Sequence, residues 1–202
     1  SSDGRFILSG SGRFSRDPKN NTMRLWDLLK GKQLHSFNGD KSGVISVAFS
    51  TDGKSVFMGN QDNIKQFNIE TGEEINSFET GRDASFALAF SPDRRFALSG
   101  KKDGKLSLFD LSEKKSEYAL KGHHSPIISA AFSSSGKFAL SGSWDGRFKL
   151  WDIQTKKEIM NCFAGVSVFS PDEKFILSAD KGGDLAIWNI DAKEIVDRKS
   201  VV

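Results

Sequence analysis

The sequence has a single cysteine, Cys162, and only three histidines among its 202 residues. One cysteine excludes an internal disulfide framework and fits a reducing compartment, so we expect a cytoplasmic protein. The spacing of the three histidines does not suggest a zinc site. Nothing near Cys162 in the sequence would activate its thiol as a nucleophile, so a packing role is the simpler interpretation.

Long apolar segments and blocks of one charge are missing as well. No apolar run approaches the roughly 20 residues that span a bilayer, and no signal-peptide pattern opens the sequence. The net charge is only +3 and is spread along the chain, which argues against a nucleic-acid or membrane partner. Phosphate-binding glycine loops, His-Glu-x-x-His and Gly-x-Ser-x-Gly are all absent. We therefore expect no cofactor, no metal and no enzymatic activity.

What the sequence does contain is a unit that recurs five times at intervals of about forty residues. Each unit pairs a stretch resembling Phe-Ser-x-Asp-Gly-Lys-Phe-x-Leu-Ser-Gly with a later stretch resembling Leu-Trp-Asp. The aromatic positions of the second stretch are Trp26, Phe67, Phe109, Trp151 and Trp188. A fixed period of this length indicates a repeat architecture, in which the repeated unit is a scaffold first.

Alternating apolar residues and tight-turn signals such as Asp-Gly predict four short strands in each unit and essentially no helix. The predicted strands of the three central units are 44–49, 55–59, 64–69 and 73–78; 85–90, 96–99, 106–111 and 116–120; and 127–132, 138–141, 147–153 and 158–163. A small sheet that is apolar on both faces cannot bury itself and must stack on its neighbours. Radial stacking of such sheets predicts an all-β fold, the β-propeller.

The fourth unit carries the fullest set of marker residues, which are Gly122, His123, Ser141, Asp145 and Trp151. With these residues the chain resembles the WD40 repeat family over nearly its whole length. In that family the His, the Ser, the turn Asp and the Trp form a hydrogen-bonded chain within one blade. The resemblance therefore implies contacts of His123 with Asp145 and Ser141, and of Ser141 with Trp151.

The other units lack part of this set. The His position is Asp40 in the second unit and Arg82 in the third, and the turn Asp is replaced by Gly182 in the fifth. We therefore expect those blades to be held together mainly by packing.

The repeat predicts one continuous array of five blades, at residues 1–40, 41–81, 82–122, 123–164 and 165–202. The first unit begins at the turn after a first strand that is missing, so blade one should lack its innermost strand. WD40 rings usually have seven blades, so the resemblance implies a fragment of a larger propeller. An unpaired strand in blade one would also favour self-association through that open edge.

Two further irregularities have more than one interpretation. The stretch at 10–21 is a loop, either a solvated insertion or a small contact surface formed by Arg13, Phe14, Arg16 and Lys19. The connection into the fifth unit is about six residues shorter than the others and omits the His position. This shortening indicates either a degenerate blade or a notch in the rim.

Trp144 lies in the turn between the second and third strands of unit four, where other units have Gln61, Lys102 and Lys181. WD40 proteins use this turn, and positions near the start of the first strand, to line one rim for partner binding. The matching first-strand positions are Ile45, Phe86 and Ile128. The resemblance thus implies a rim with Trp144 as its main anchor, although these side chains could instead pack on adjacent blades.

Our leading hypothesis is a non-catalytic scaffold that binds protein or peptide partners on one propeller face. A second hypothesis is a structural arc of a larger or self-associating propeller. A propeller that binds a small ligand or hydrolyses a substrate is the least favoured interpretation, because the sequence offers no converging carboxylates, metal cluster or nucleophile.

Overall fold

The computed structural model of the protein describes residues 1, 3–11, 21–39, 43–50, 52–60, 62–81, 84–112 and 116–200, with the backbone alone at 84–86 and 116–117. Within these residues there are nineteen strands and no helix. The strands are β1 Phe6–Gly10, β2 Thr22–Asp27, β3 Lys32–Asn38, β4 Ser46–Phe49, β5 Ser55–Gly59, β6 Asn63–Asn68, β7 Glu74–Glu79, β8 Ala84–Phe90, β9 Phe96–Lys101, β10 Leu106–Asp110, β11 Ser116–Leu120, β12 Ile127–Phe132, β13 Phe138–Ser143, β14 Arg147–Asp152, β15 Lys157–Phe163, β16 Val166–Phe169, β17 Phe175–Ala179, β18 Leu185–Asn189 and β19 Glu194–Lys199.

The strands form five sheets, in each of which every strand is hydrogen-bonded to the next one along the chain. We call these sheets blades: β1–β3 is blade one, β4–β7 blade two, β8–β11 blade three, β12–β15 blade four and β16–β19 blade five. Blade one has three strands and the others have four. The predicted all-β, propeller-type fold of five blades is therefore confirmed, and in the described residues blade one has three strands, as predicted.

Some predicted strand ends are wrong by one or two residues. The first strand of blade two, predicted at 44–49, begins only at Ser46. The reason is that the Val44 N–H donates to the carbonyl of Ser11, beyond the end of β1, at 3.2 Å. The predicted loop at 10–21 begins one residue late, because Gly10 still belongs to β1, and its residues 12–20 lie outside the described part of the chain.

A repeated turn connects the first and second strands of the blades. In blade two, Ser50 Oγ donates to Asp52 Oδ1 at 2.6 Å and accepts from the Ser55 N–H at 2.9 Å. Gly53 completes the turn with a φ of 66°, in the left-handed region that glycine adopts without strain. The same Ser–Asp hydrogen bond occurs at Ser1–Asp3, Ser91–Asp93 and Ser170–Asp172. The Phe-Ser-x-Asp-Gly motif thus forms a turn that is held by hydrogen bonds of its own Ser and Asp side chains.

The chain divides into two compact units, Ser1–Ala84 with Asp110–Ser116, and Ser85–Phe109 with Glu117–Val202. The core of the first unit lies between blades one and two, where Met23, Leu25, Val56 and Met58 are fully buried. A side chain at Gly10 would come within 2.7 Å of Val44 Cγ1, so β1 and the start of blade two approach too closely for any larger residue.

Among the described residues, the second unit contains two such cores. One lies between blades three and four and includes Leu98, Leu108, Ile127 and Trp151. The other lies between blades four and five, and its buried members are Leu140, Phe148, Leu150, Met160, Ala164, Ile176 and Ile190. Blade four is therefore buried on both faces, as predicted for a sheet that cannot bury itself.

The third residues of β13 and β17 provide a matched test of this packing. Leu140 is 1% exposed in the core between blades four and five, whereas Leu177 is 42% exposed on the opposite face of blade five. We expect Leu140→Ala to lower the free energy of unfolding by about 3 kcal/mol, and Leu177→Ala by less than about 1 kcal/mol. Urea unfolding of both variants measures these losses. Equal losses would show that the two leucines are buried alike in solution, against the structure.

Candidate functional site

A chain of hydrogen bonds runs through blade four from its core to its rim. His123 Nδ1 lies 2.9 Å from Asp145 Oδ2, and His123 Nε2 lies 2.9 Å from Ser141 Oγ. Trp151 Nε1 donates to the same Ser141 oxygen at 2.9 Å. The three contacts that the resemblance implies are thus present, and they give the buried indole and imidazole nitrogens partners.

The electrostatics of this chain favour a neutral imidazole next to a charged carboxylate. Burial lowers the pKa of His123 and outweighs the opposing effect of Asp145. Burial pushes the pKa of Asp145 up, but hydrogen bonds from His123 and from the backbone N–H of His124 outweigh it and leave this pKa below its usual value. The carboxylate fixes the proton on Nδ1, so Nε2 accepts the hydroxyl proton of Ser141.

The Ser–Trp part of this hydrogen-bonded chain also occurs in blades one and five. Trp26 Nε1 donates to Ser9 Oγ at 2.9 Å in blade one, and Trp188 Nε1 donates to Ser178 Oγ at 2.8 Å in blade five. The expectation that blade five is held mainly by packing was therefore incomplete, because the Ser–Trp hydrogen bond does not depend on the imidazole.

An ion pair covers the outer part of the same face of blade four. Lys149 Nζ lies 2.5 Å from Glu158 Oε2, and the side chain of Lys149 is buried. Its ammonium group lies 6.0 Å from the ring centroid of Trp151, within range of a cation–π interaction. Blade two has the equivalent pair, Lys65 and Glu74, at 2.8 Å. The lysine and the imidazole together fill the space beside the Trp151 indole.

Trp144 lies at the tip of the turn between β13 and β14 and is 63% exposed. Its backbone N–H donates to the Pro126 carbonyl at 3.0 Å, which ties the turn to the preceding loop. The next two N–H groups, of Asp145 and Gly146, both donate to Ser143, to its Oγ and its carbonyl respectively, each at 3.1 Å. The turn is thus held by local hydrogen bonds, while the indole itself extends into solvent.

The lysines predicted beside Trp144 occupy the equivalent turns of their own blades. Lys102 lies between β9 and β10, Lys181 lies between β17 and β18, and both are exposed. Within the described residues, no hydrogen bond, ion pair or ring contact joins either lysine to Trp144. Gln61, the fourth residue of this set, lies outside the described residues.

The predicted first-strand positions are less accessible than Trp144. Ile128 is half-buried, at the point in β12 where the register with β13 shifts between Ile127 and Ser129. Ile45, in the other unit, is also half-buried, and its N–H donates to the Gly59 carbonyl at 2.8 Å. The side chain of Phe86 lies outside the described part of the structure. Whether these residues bind a partner stays a prediction.

Sequence reasoning missed an exposed aromatic residue at the same end of blade four. Phe163, the last residue of β15, is 73% exposed and pairs in register with Arg147. The Arg147 guanidinium lies 3.8 Å from the Phe163 ring centroid and also donates to Asn161 Oδ1 at 3.2 Å. The shortened connection into blade five was the signal, because it leaves the end of β15 uncovered.

The described residues provide little for catalysis. No group of three or more His, Cys, Asp or Glu side chains among them is placed to hold a metal ion. Burial raises the pKa of the Cys162 thiol, which disfavours the reactive thiolate. In the same part of the chain, no helix is long and apolar enough to cross a membrane.

The fold and this site define a protein built from repeated propeller blades, one of which carries the full hydrogen-bonded chain. The family model for the WD domain, G-beta repeat, matches residues 31–66, 72–110, 114–152 and 155–189, so the chain belongs to the WD40 repeat family. Each match begins at the outer strand of one blade and ends in the third strand of the next. A comparison with curated proteins gave no match. WD40 repeats generally act in protein–protein interaction, and the family is generally non-catalytic.

The buried imidazole makes the stability of the protein depend on pH. The folded-state pKa of His123 lies below that of the unfolded chain, about 6.5, so the unfolded state binds more protons between the two values. The stabilisation is complete above about pH 6.5 and is lost as the pH falls through the folded-state pKa, by at most about 1.4 kcal/mol per pH unit. The lowered pKa of Asp145 adds a similar loss only below about pH 4.

Urea unfolding at pH 7, 6 and 5 tests this prediction. The wild type should lose stability across this range, and His123→Gln should show a much smaller dependence on pH. His124→Gln is the matched control, because the described hydrogen bond of His124 comes from its backbone N–H, and it should retain the wild-type slope. An unchanged slope in His123→Gln would contradict the assignment of a neutral, buried imidazole.

Proposed function

We propose that this protein is a non-catalytic scaffold that binds a protein or peptide partner on the face formed by the turns between the second and third strands of blades three to five, with Trp144 as the principal anchor. The observation that carries the proposal is the exposure of Trp144, 63%, on a turn that is fixed by hydrogen bonds. Exposed aromatic residues of this kind dominate binding energy when a partner buries them.

Rigidity is what makes this indole a good anchor. The Asp145 side chain accepts hydrogen bonds from His123 and from the N–H groups of His124 and Arg147. The turn that carries Trp144 is therefore connected to the buried core of blade four. A partner would bury the indole without first ordering the backbone beneath it, which lowers the entropic cost of association.

Exposed side chains at the same end of blade four and on the equivalent turns of blades three and five indicate the chemistry of the partner. Phe163 adds a second exposed aromatic ring at the same end of blade four, stacked against Arg147. Lys102 and Lys181 add exposed positive charge on the equivalent turns of blades three and five. Such a surface suits a partner segment that combines an apolar side chain with nearby carboxylates.

Partner binding by a variant at this position tests the proposal. Wild-type protein is used to enrich partners from a lysate, and the affinity of each recovered partner is then measured with purified wild type and Trp144→Ala. We expect Trp144→Ala to weaken binding by roughly 30-fold, which corresponds to about 2 kcal/mol for a central aromatic anchor. Its free energy of unfolding should not change, because the indole is mostly exposed.

Leu29→Ala is the matched control for this experiment. Leu29 is also a large exposed apolar residue, but it lies in the turn between β2 and β3, the last two strands of its blade, which is not one of the turns that form the proposed surface. It should bind partners as the wild type does. If Trp144→Ala keeps full affinity for every recovered partner, the proposed anchor is wrong.

The open edge of blade one favours a second candidate, self-association. In the described residues no strand pairs with the edge of β1 that faces away from β2, and Ile7 on this strand is exposed. Unpaired edges of this kind recruit strands from other chains, and a charged residue blocks such pairing. Light scattering should then show a mass that rises with concentration for the wild type and stays monomeric for Ile7→Lys. A constant monomer mass for the wild type would eliminate this candidate.

A further inference from the structure

A cavity of about 310 Å³ lies between the end of β15 and blade five. Phe163 and Ala164 line one side of it, and Ser178, Ala186 and Trp188 line the other. Its volume falls within the range of about 300–1,000 Å³ that is typical of small-ligand sites. The cavity therefore has room for a ring-sized group next to the Trp188 indole.

Comparison with blade four explains why the cavity exists. There the equivalent space holds the imidazole of His123 and the buried side chain of Lys149, which pairs with Glu158. In blade five, Ala186 and Ile195 occupy the positions of the lysine and the glutamate in the strand register. Replacing a long side chain by a methyl group leaves that volume empty.

The connection that would supply an imidazole is also missing from blade five. Residues 121–126 join β11 to β12 and carry His123 into blade four. Only Ala164 and Gly165 join β15 to β16, and this connection is too short to reach the indole of the next blade. The shortened connection therefore leaves a notch beside a blade that still has four strands.

The floor of the cavity carries a hydroxyl group, that of Ser178, whose proton makes only one long hydrogen bond. Ser178 is 2% exposed, and its Oγ accepts from Trp188 Nε1 at 2.8 Å. Its own proton reaches only the Ala186 carbonyl, at 3.5 Å, which is long for such a bond. In blade four the same hydroxyl proton, on Ser141, goes to His123 Nε2 at 2.9 Å. A buried donor at this position therefore favours an acceptor atom placed in the cavity.

Two carboxylates lie at the mouth of the cavity. Asp184 accepts from Arg198 and from the hydroxyl of Ser200. Asp180 Oδ1 accepts two backbone N–H groups, while its Oδ2 is 3.8 Å from the Arg198 guanidinium, beyond hydrogen-bond distance. Asp180 Oδ2 thus offers an acceptor for an N–H group that points outward from the cavity.

We propose that this cavity binds the imidazole ring of a histidine side chain supplied by a protein partner. The unprotonated ring nitrogen accepts the Ser178 hydroxyl proton, the ring packs between Ala186 and the Trp188 indole, and the other ring N–H donates to Asp180. The partner thereby completes in blade five the contact that the chain makes for itself in blade four. This inference rests on the proposed function in one respect only, that the occupant belongs to a protein partner.

The experiment uses free imidazole as the probe and the indole N–H signals of the four tryptophans as the readout. In the full chain, imidazole should shift the Trp188 signal, assigned by its loss in Trp188→Phe, with a dissociation constant in the millimolar range, about what so small a ligand allows. Pyrrole is the matched probe, because it has the ring N–H but no acceptor nitrogen. It should bind at least about tenfold more weakly.

Two variants separate this site from non-specific binding. Ser178→Ala should weaken imidazole binding roughly tenfold because the inner donor is lost. Ala186→Lys should abolish it by filling the cavity as Lys149 fills the space in blade four. Absence of a saturable Trp188 shift, equal binding of pyrrole, or full binding by Ala186→Lys would each overturn the proposal. Trp144→Ala should bind imidazole as the wild type does. A wrong assignment of the Trp144 anchor and a wrong assignment of the imidazole site can therefore be told apart.

Discussion

The structure depends on one constraint: each four-stranded blade has two apolar faces and cannot bury both by itself. Leu140 and Trp151 illustrate this in blade four, because one packs towards blade five and the other towards blade three. Sheet-to-sheet packing of this kind fixes the turns at the ends of the strands. Residues on those turns, such as Trp144, are then free to differ between blades without loss of the fold.

The hydrogen-bonded chain of blade four joins this packing to the surface. The Trp151 indole belongs to the core, and Ser141, His123 and Asp145 connect it stepwise to the turn that presents Trp144. Blade five keeps the first of these bonds and lacks the rest. The complete hydrogen-bonded chain thus fixes the turn of blade four, whereas its incomplete form in blade five leaves an open cavity.

Much of the fold could be predicted from the sequence, because its signals are local. The Ser-x-Asp-Gly turns close on their own side chains, and alternation marks the strands between them. The exposure of Phe163 and the cavity beside Trp188 could not be predicted, since both depend on the short connection between β15 and β16, which leaves the space between two blades uncovered. The Ser178–Trp188 bond was not predicted either, because unit five lacks the rest of the marker set, whereas this contact needs only these two residues.

The central claim is that the core of blade four holds the Trp144 turn rigid, and hydrogen exchange of the turn amides tests it most directly. The N–H groups of Trp144, Asp145, Gly146 and Arg147 all donate hydrogen bonds in the structure. The account predicts slow exchange at these four amides in the wild type, and faster exchange in Asp145→Ala while the strands of blade four stay protected. Exchange in the wild type as fast as in an unstructured peptide would contradict it.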